Sequence, residues 1–69
     1  MNLIVNGDAY TLNGSADKVT VADLVTELNL TGRRLAVEVN REIVPKSEHG
    51  THTLQEGDTV EVVHAIGGG

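Results

Sequence analysis

The chain is 69 residues long, with no cysteine, a single aromatic residue (Tyr10) and a formal charge of -5 from ten acidic and five basic side chains. That length makes one domain near the lower limit at which a single core gives a useful margin of stability, and it leaves little material for a deep catalytic cleft. Without cysteine there are no disulfides, thiolate metal sites or cysteine nucleophile, while the acidic balance and lone aromatic argue against binding phosphate backbones or stacking bases.

No apolar run is long enough to span a membrane. The opening Met1-Asn2-Leu3-Ile4-Val5-Asn6-Gly7 lacks the basic region and apolar length of a signal peptide. The expected location is therefore the cytoplasm. An acidic surface suits solubility and steering toward a basic partner.

In chain order, Leu3 and Val5 alternate with Asn2, Ile4 and Asn6, the period of a half-buried strand, and Asn6-Gly7 is a strong hairpin signal. A second strand follows through Ala9-Tyr10-Thr11-Leu12 and ends at Asn13-Gly14. Thr20 with Asp23 three residues on forms a short capping box, and Val21, Leu24, Val25 and Leu28 fall at the spacing of one helical face. Gly32 is placed for a left-handed C′ residue, with Arg33 and Arg34 near the negative helix end, so the expected helix is about ten residues long.

Leu35, Val37 and Val39 alternate in a third strand, Asn40-Arg41 makes a tight turn, and Glu42-Ile43-Val44 is a short strand stopped by Pro45. Lys46 to Thr53 is polar and irregular, Leu54 drops one anchor into the core, and Gln55-Glu56-Gly57-Asp58 turns the chain. Val60, Val62 and His64 then alternate with Glu61, Val63 and Ala65 in a last strand. This order predicts an α+β domain, a mixed sheet of four to five strands packed on one main helix. Val60 and Val62 are expected to face that helix. Val63 and Ala65 then face the other way, beside Ile4, as an apolar docking patch.

The chain closes on Gly67-Gly68-Gly69, which has no side chains to pack and contributes little to a fold. Residues 1–66 are accordingly expected to be the folded domain and 67–69 a flexible tail, thin enough to enter a narrow channel in a partner. Elsewhere, His49-x-x-His52 with Glu48 sketches a metal site lacking a third assigned ligand, and Ser47 beside His49 has no oxyanion hole. Both are better read as loop residues. His64 is expected to be a partly buried structural histidine, so neither a metal nor a catalytic residue is assigned.

Four segments, in this order and spanning the whole chain, resemble the ThiS family, the small sulfur carriers of thiamine biosynthesis. They are Met1 to Gly7, Ala36-Val37-Glu38-Val39-Asn40-Arg41-Glu42-Ile43-Val44-Pro45, Glu56-Gly57-Asp58, and Ala65-Ile66-Gly67-Gly68-Gly69. The resemblance implies a ubiquitin-like β-grasp fold. Gly67 departs from the alanine or other small residue expected more often there, and the Gly68-Gly69 pair is intact.

The resemblance further implies that the Gly69 carboxylate is adenylated by an E1-like adenylyltransferase of the ThiF type, converted to a thiocarboxylate with a sulfur donor, and used by a thiazole synthase of the ThiG type. Gly67 and Gly68 would give access to the catalytic channel, and Ile4, Val63, Ala65 and Ile66 would meet the partners. No intrinsic cofactor is implied, since ATP is used by the activating enzyme, and the chain alone is expected to be a monomer and not an enzyme. Two alternatives stay open, a carrier like the small subunit of molybdopterin synthase and a noncatalytic β-grasp binding module. A conjugating, ubiquitin-type modifier is also chemically permitted by the ending.

Overall fold

The alternation at the start of the chain becomes an antiparallel hairpin of β1 (Asn2–Val5) and β2 (Asp8–Thr11). Asn6 and Gly7 carry φ values of 51° and 86°, the two positive angles of a type I′ turn, whose twist matches the strands it joins. The computed structural model describes residues 1–12 and 18–64, so the expected turn at Asn13-Gly14 lies outside the described residues. The remaining elements are β3 (Val19–Thr20), α1 (Val21–Glu27), β4 (Leu35–Val39), β5 (Glu42–Val44), a 3-10 turn at Lys46–Glu48, β6 (Thr53–Leu54) and β7 (Thr59–His64).

Five strands form one mixed sheet in the order β2-β1-β7-β4-β5, with β1 and β7 parallel at its centre and the other neighbours antiparallel. A separate two-stranded ladder joins β3 to β6, Val19 opposite Leu54. Two-residue strands are too short to show a period, so this ladder is not expected from the sequence, and Thr53 falls at the end of the stretch expected to be irregular. Leu54 is nonetheless the expected anchor, buried in the core.

The helix starts as its sequence predicts. Thr20 Oγ1 accepts from the Asp23 backbone N–H (3.2 Å) and an Asp23 carboxylate oxygen accepts from the Thr20 N–H (2.9 Å), the reciprocal pair of a capping box. Its end differs from expectation. Asn29, at φ 63°, takes the left-handed C′ position assigned to Gly32, with Asn29 N–H donating to Thr26 O and Leu30 N–H to Val25 O. These are the 5→2 and 6→1 bonds of a Schellman motif. Asparagine tolerates that conformation, so the helix closes after seven residues rather than about ten, and Gly32 (φ 88°) serves a second turn.

Val21 and Leu24 are fully buried against Leu3, Val37, Val60 and Leu54, and Val25 and Leu28 pack on the edge of that cluster. The inward residues of the sheet are therefore those of the predicted phase. Val60 is 0% and Val62 6% exposed, while Val63 is 53% exposed on the opposite face. His64 corrects its expectation. It is exposed, because the core cluster on β7 ends at Val62.

Candidate functional site

Of the residues expected to carry function, Ala65, Ile66, Gly67, Gly68 and Gly69 lie outside the described residues, and the structure speaks to the strand that leads to them. On one side β7 is held by a five-pair antiparallel ladder with β4, from Val39 opposite Val60 to Leu35 opposite His64. On the other side, only Ile4–Thr59 and Val5–Val60 are paired in parallel with β1.

Where that parallel pairing stops, the side chain of Asn6 replaces it. Its Oδ1 accepts from the Val62 N–H at 2.7 Å and its Nδ2 donates to the Val62 carbonyl at 3.1 Å, while its own backbone N–H donates to Val60 O. A primary amide carries the donor and acceptor of a peptide group, so Asn6 extends the ladder by one residue. β7 is thus gripped on both edges two residues before its last described position. Sequence reasoning assigned Asn6 to the hairpin turn alone, and no local pattern signals a contact 56 residues away.

Among the described residues, the outer face of the sheet, away from the helix, carries three exposed large aliphatics: Ile4 (37%), Ile43 (73%) and Val63 (53%). Ile4 and Val63 share that face but are not neighbours. Ile4 lies opposite Thr59, and Val63 is four residues further along β7, about 13 Å at the usual strand rise. The expected patch is therefore two smaller apolar areas, Ile4 with Ala9 on β1–β2 and Val63 with Ala36 on β7–β4.

Between them, Glu61 stands directly opposite Glu38, and Ile43 lies opposite Glu38 on the far side. Like charges so placed repel and weaken the sheet. Ile43 was missed as a surface residue because the three-residue strand Glu42–Val44 is too short for its phase to be judged alone. Its pairing with β4 decides that Val44 points in and Ile43 out.

The histidine motif has a structural use. The His49 and His52 carbonyls accept from the Ala22 and Val21 N–H groups at 2.8 and 3.0 Å, satisfying donors that the first helical turn leaves unpaired. The His49 ring donates from Nε2 to the Val44 carbonyl (3.1 Å), and Ser47 lies exposed in the 3-10 turn. Among the described residues no group of three or more His, Cys, Asp or Glu is placed to hold a metal ion, and no helix is long and apolar enough to cross a membrane.

Comparison with known proteins places this architecture. The ThiS family model matches residues 3–69. The sulfur carrier protein ThiS of Bacillus subtilis is 36% identical over 53 residues, covering 77% of this chain and 80% of that protein. A thiazole synthase of Paramagnetospirillum magneticum is 42% identical over all 69 residues, and this chain spans about a fifth (20%) of that relative's length. The crystal structure of the thiamine biosynthesis protein ThiS from Geobacter metallireducens superposes with a TM-score of 0.84 at 34% identity, covering both chains completely. One helix on a mixed five-stranded sheet is thus the β-grasp arrangement of ThiS structures.

Proposed function

The chain belongs to the ThiS family, the sulfur carriers of thiamine biosynthesis, and from that premise we propose that the reacting group is the main-chain carboxylate of Gly69. A carboxylate is ionised at neutral pH and a poor electrophile, so a sulfur nucleophile cannot displace its oxygen directly. Adenylation by an E1-like, ThiF-type enzyme joins one carboxylate oxygen to the α-phosphorus of ATP and expels pyrophosphate. A persulfide sulfur of the donor then attacks the acyl carbon and AMP leaves; a thiol next attacks the donor sulfur of the resulting acyl disulfide, forming a disulfide with the donor and releasing the thiocarboxylate that thiazole synthase consumes. The carrier contributes no acid or base to these steps.

The observation that carries this reading is that the family match runs through residue 69 and so takes in the whole glycine run. Residues 67–69 act as the arm: glycines at 67 and 68 pass a channel too narrow for side chains, and residues 1–66 hold the arm in place. The grip on β7 supports the reading, since β4 and Asn6 hold the strand that precedes the glycine run in the sequence.

Ile4 and Val63 on the outer face, together with Ala65 and Ile66, supply the apolar contacts for the activating enzyme and for a ThiG-type synthase. Ile43 joins them as the most exposed of the set. The thiazole synthase relatives support the second partner, because in them a segment similar to this chain is part of a longer thiazole synthase chain.

Incubation with a cognate activating enzyme, ATP and a sulfur donor, followed by intact-mass analysis, tests the proposal. The expected product is heavier by the exchange of one oxygen for sulfur. A chain lacking Gly69, or extended by one residue beyond it, is expected to gain no sulfur, and sulfur acquired by the extended chain would remove Gly69 from the role.

A further inference from the structure

A cleft of about 300 Å³ opens between the C-terminal half of α1, the Schellman turn and the 3-10 turn, on the helix side of the sheet and away from the outer face. Its volume lies at the lower end of the range of small-molecule sites. The carrier reading does not use it.

The wall is apolar. Val25, Leu30 and Leu35 line it, each half-buried. Val25 and Leu30 are the C3 and C″ residues of the Schellman motif, so the same helix end that brings them together also shapes the cleft.

The polar groups differ in what they have left to give. The Thr31 hydroxyl donates to Thr26 Oγ1, the Thr26 hydroxyl donates to Ala22 O, and the His49 Nε2–H is spent on Val44 O. Arg33 and Lys46 also line the cleft, from two separate segments, and both side chains are exposed. Among the described residues no carboxylate lines it, although Asp23 and Glu27 belong to the adjoining helix and Glu48 to the adjoining turn. In a chain with twice as many acidic as basic side chains, two of the five basic ones line one apolar recess.

We propose that this cleft binds a small organic anion, a single carboxylate or phosphate group on an apolar body, with the body against Val25, Leu30 and Leu35 and the anion between Arg33 and Lys46. Either headgroup answers to the same chemistry: Arg33 offers a planar fork of donors and Lys46 a point charge. The site is independent of the Gly69 chemistry, so loss of sulfur acceptance does not bear on it, nor does its own failure bear on the carrier reading.

The test is a titration of the ¹⁵N-labelled chain, followed by amide NMR, with benzoate and with phenyl phosphate. Benzyl alcohol and inorganic phosphate serve as the body-only and headgroup-only arms. Saturable shifts are expected at Val25, Leu30 to Arg33, Lys46 and Gly50 with the two aryl anions, the better of the pair identifying the headgroup. Both control arms are expected to bind more weakly.

Arg33→Ala and Lys46→Ala should each raise Kd roughly threefold to fivefold, the effect of one exposed ion pair, and the double variant should lose saturable binding. Both side chains are exposed, so the variants are expected to keep the wild-type amide spectrum away from the cleft. Shifts that do not saturate, benzyl alcohol binding as tightly as benzoate, or Kd values unchanged in the double variant would each overturn the assignment.

Discussion

The two faces of the five-stranded sheet are written by alternate residues of the same strands, yet they serve opposite ends. Toward the helix, Leu3, Val5, Val37, Val39, Val60 and Val62 are buried in one cluster. On the other side the interleaved Ile4, Glu38, Ile43, Glu61 and Val63 carry a repelling carboxylate pair among separated aliphatics. The inner face is spent on holding a small domain together. The outer face leaves Ile4, Ile43 and Val63 exposed, and it is there that the proposed partner contacts lie.

Truncation on the inner face gives the largest expected effect. Leu24→Ala removes a fully buried side chain from the helix–sheet contact and is expected to cost about 2–5 kcal/mol, measured by urea unfolding. In a domain of this size that is a large part of the total stability. A cost below about 1 kcal/mol would erase the distinction between the faces.

Asn6 holds β7 on its β1 side, and Asn6→Ala is expected to cost roughly 2–3 kcal/mol. It removes two hydrogen bonds to Val62 and places alanine at a positive φ. Because the clamp grips β7, the variant should also show faster amide exchange at Val62 than at Val37 on the neighbouring ladder, relative to wild type. Uniform acceleration across the sheet would mean that Asn6 acts only through global stability.

On the outer face, Ile43→Thr keeps a β-branched residue in the strand and is expected to change stability by no more than about 0.5 kcal/mol. Its effect should appear in binding instead, as a Kd for the activating enzyme or the synthase raised about tenfold, the size of a modest hot spot. Unchanged affinity for both would remove β5 from the docking surface. The smallest effect belongs to Glu61→Gln, expected to stabilise the free chain by a few tenths of a kcal/mol at low salt by relieving the repulsion with Glu38. That gain should shrink as salt is raised. A loss of stability on neutralisation would show that the two carboxylates are not repelling each other.

Some of this was legible from local pattern. The phase of Val60 and Val62, the capping box of Thr20 and Asp23, the Asn6-Gly7 turn and the stop at Pro45 each rest on residues within one element or one turn, where the physical cause is short-ranged. The helix end was misjudged because glycine outranks asparagine as a C′ residue in general, while Asn29 comes three residues earlier and is sufficient. His64 was misjudged because alternation tells which side a residue points to, not how far the core extends beneath it.

The candidate site divides in the same way. The glycine run, with no side chains to pack, is a property of the chain as written, and so are the acidic charge, the lack of cysteine and the order of the longer elements. Its setting is not. Asn6 meets Val62 only once a parallel pair has formed between the two ends of the chain, and Glu61 meets Glu38 only once β7 has entered between β1 and β4. The separation of Ile4 from Val63 likewise depends on register, which fixes distances along a strand that alternation alone leaves free. The sequence by itself determined which residues could be buried; the tertiary structure decided which of them meet, because those contacts are made between residues far apart in the chain.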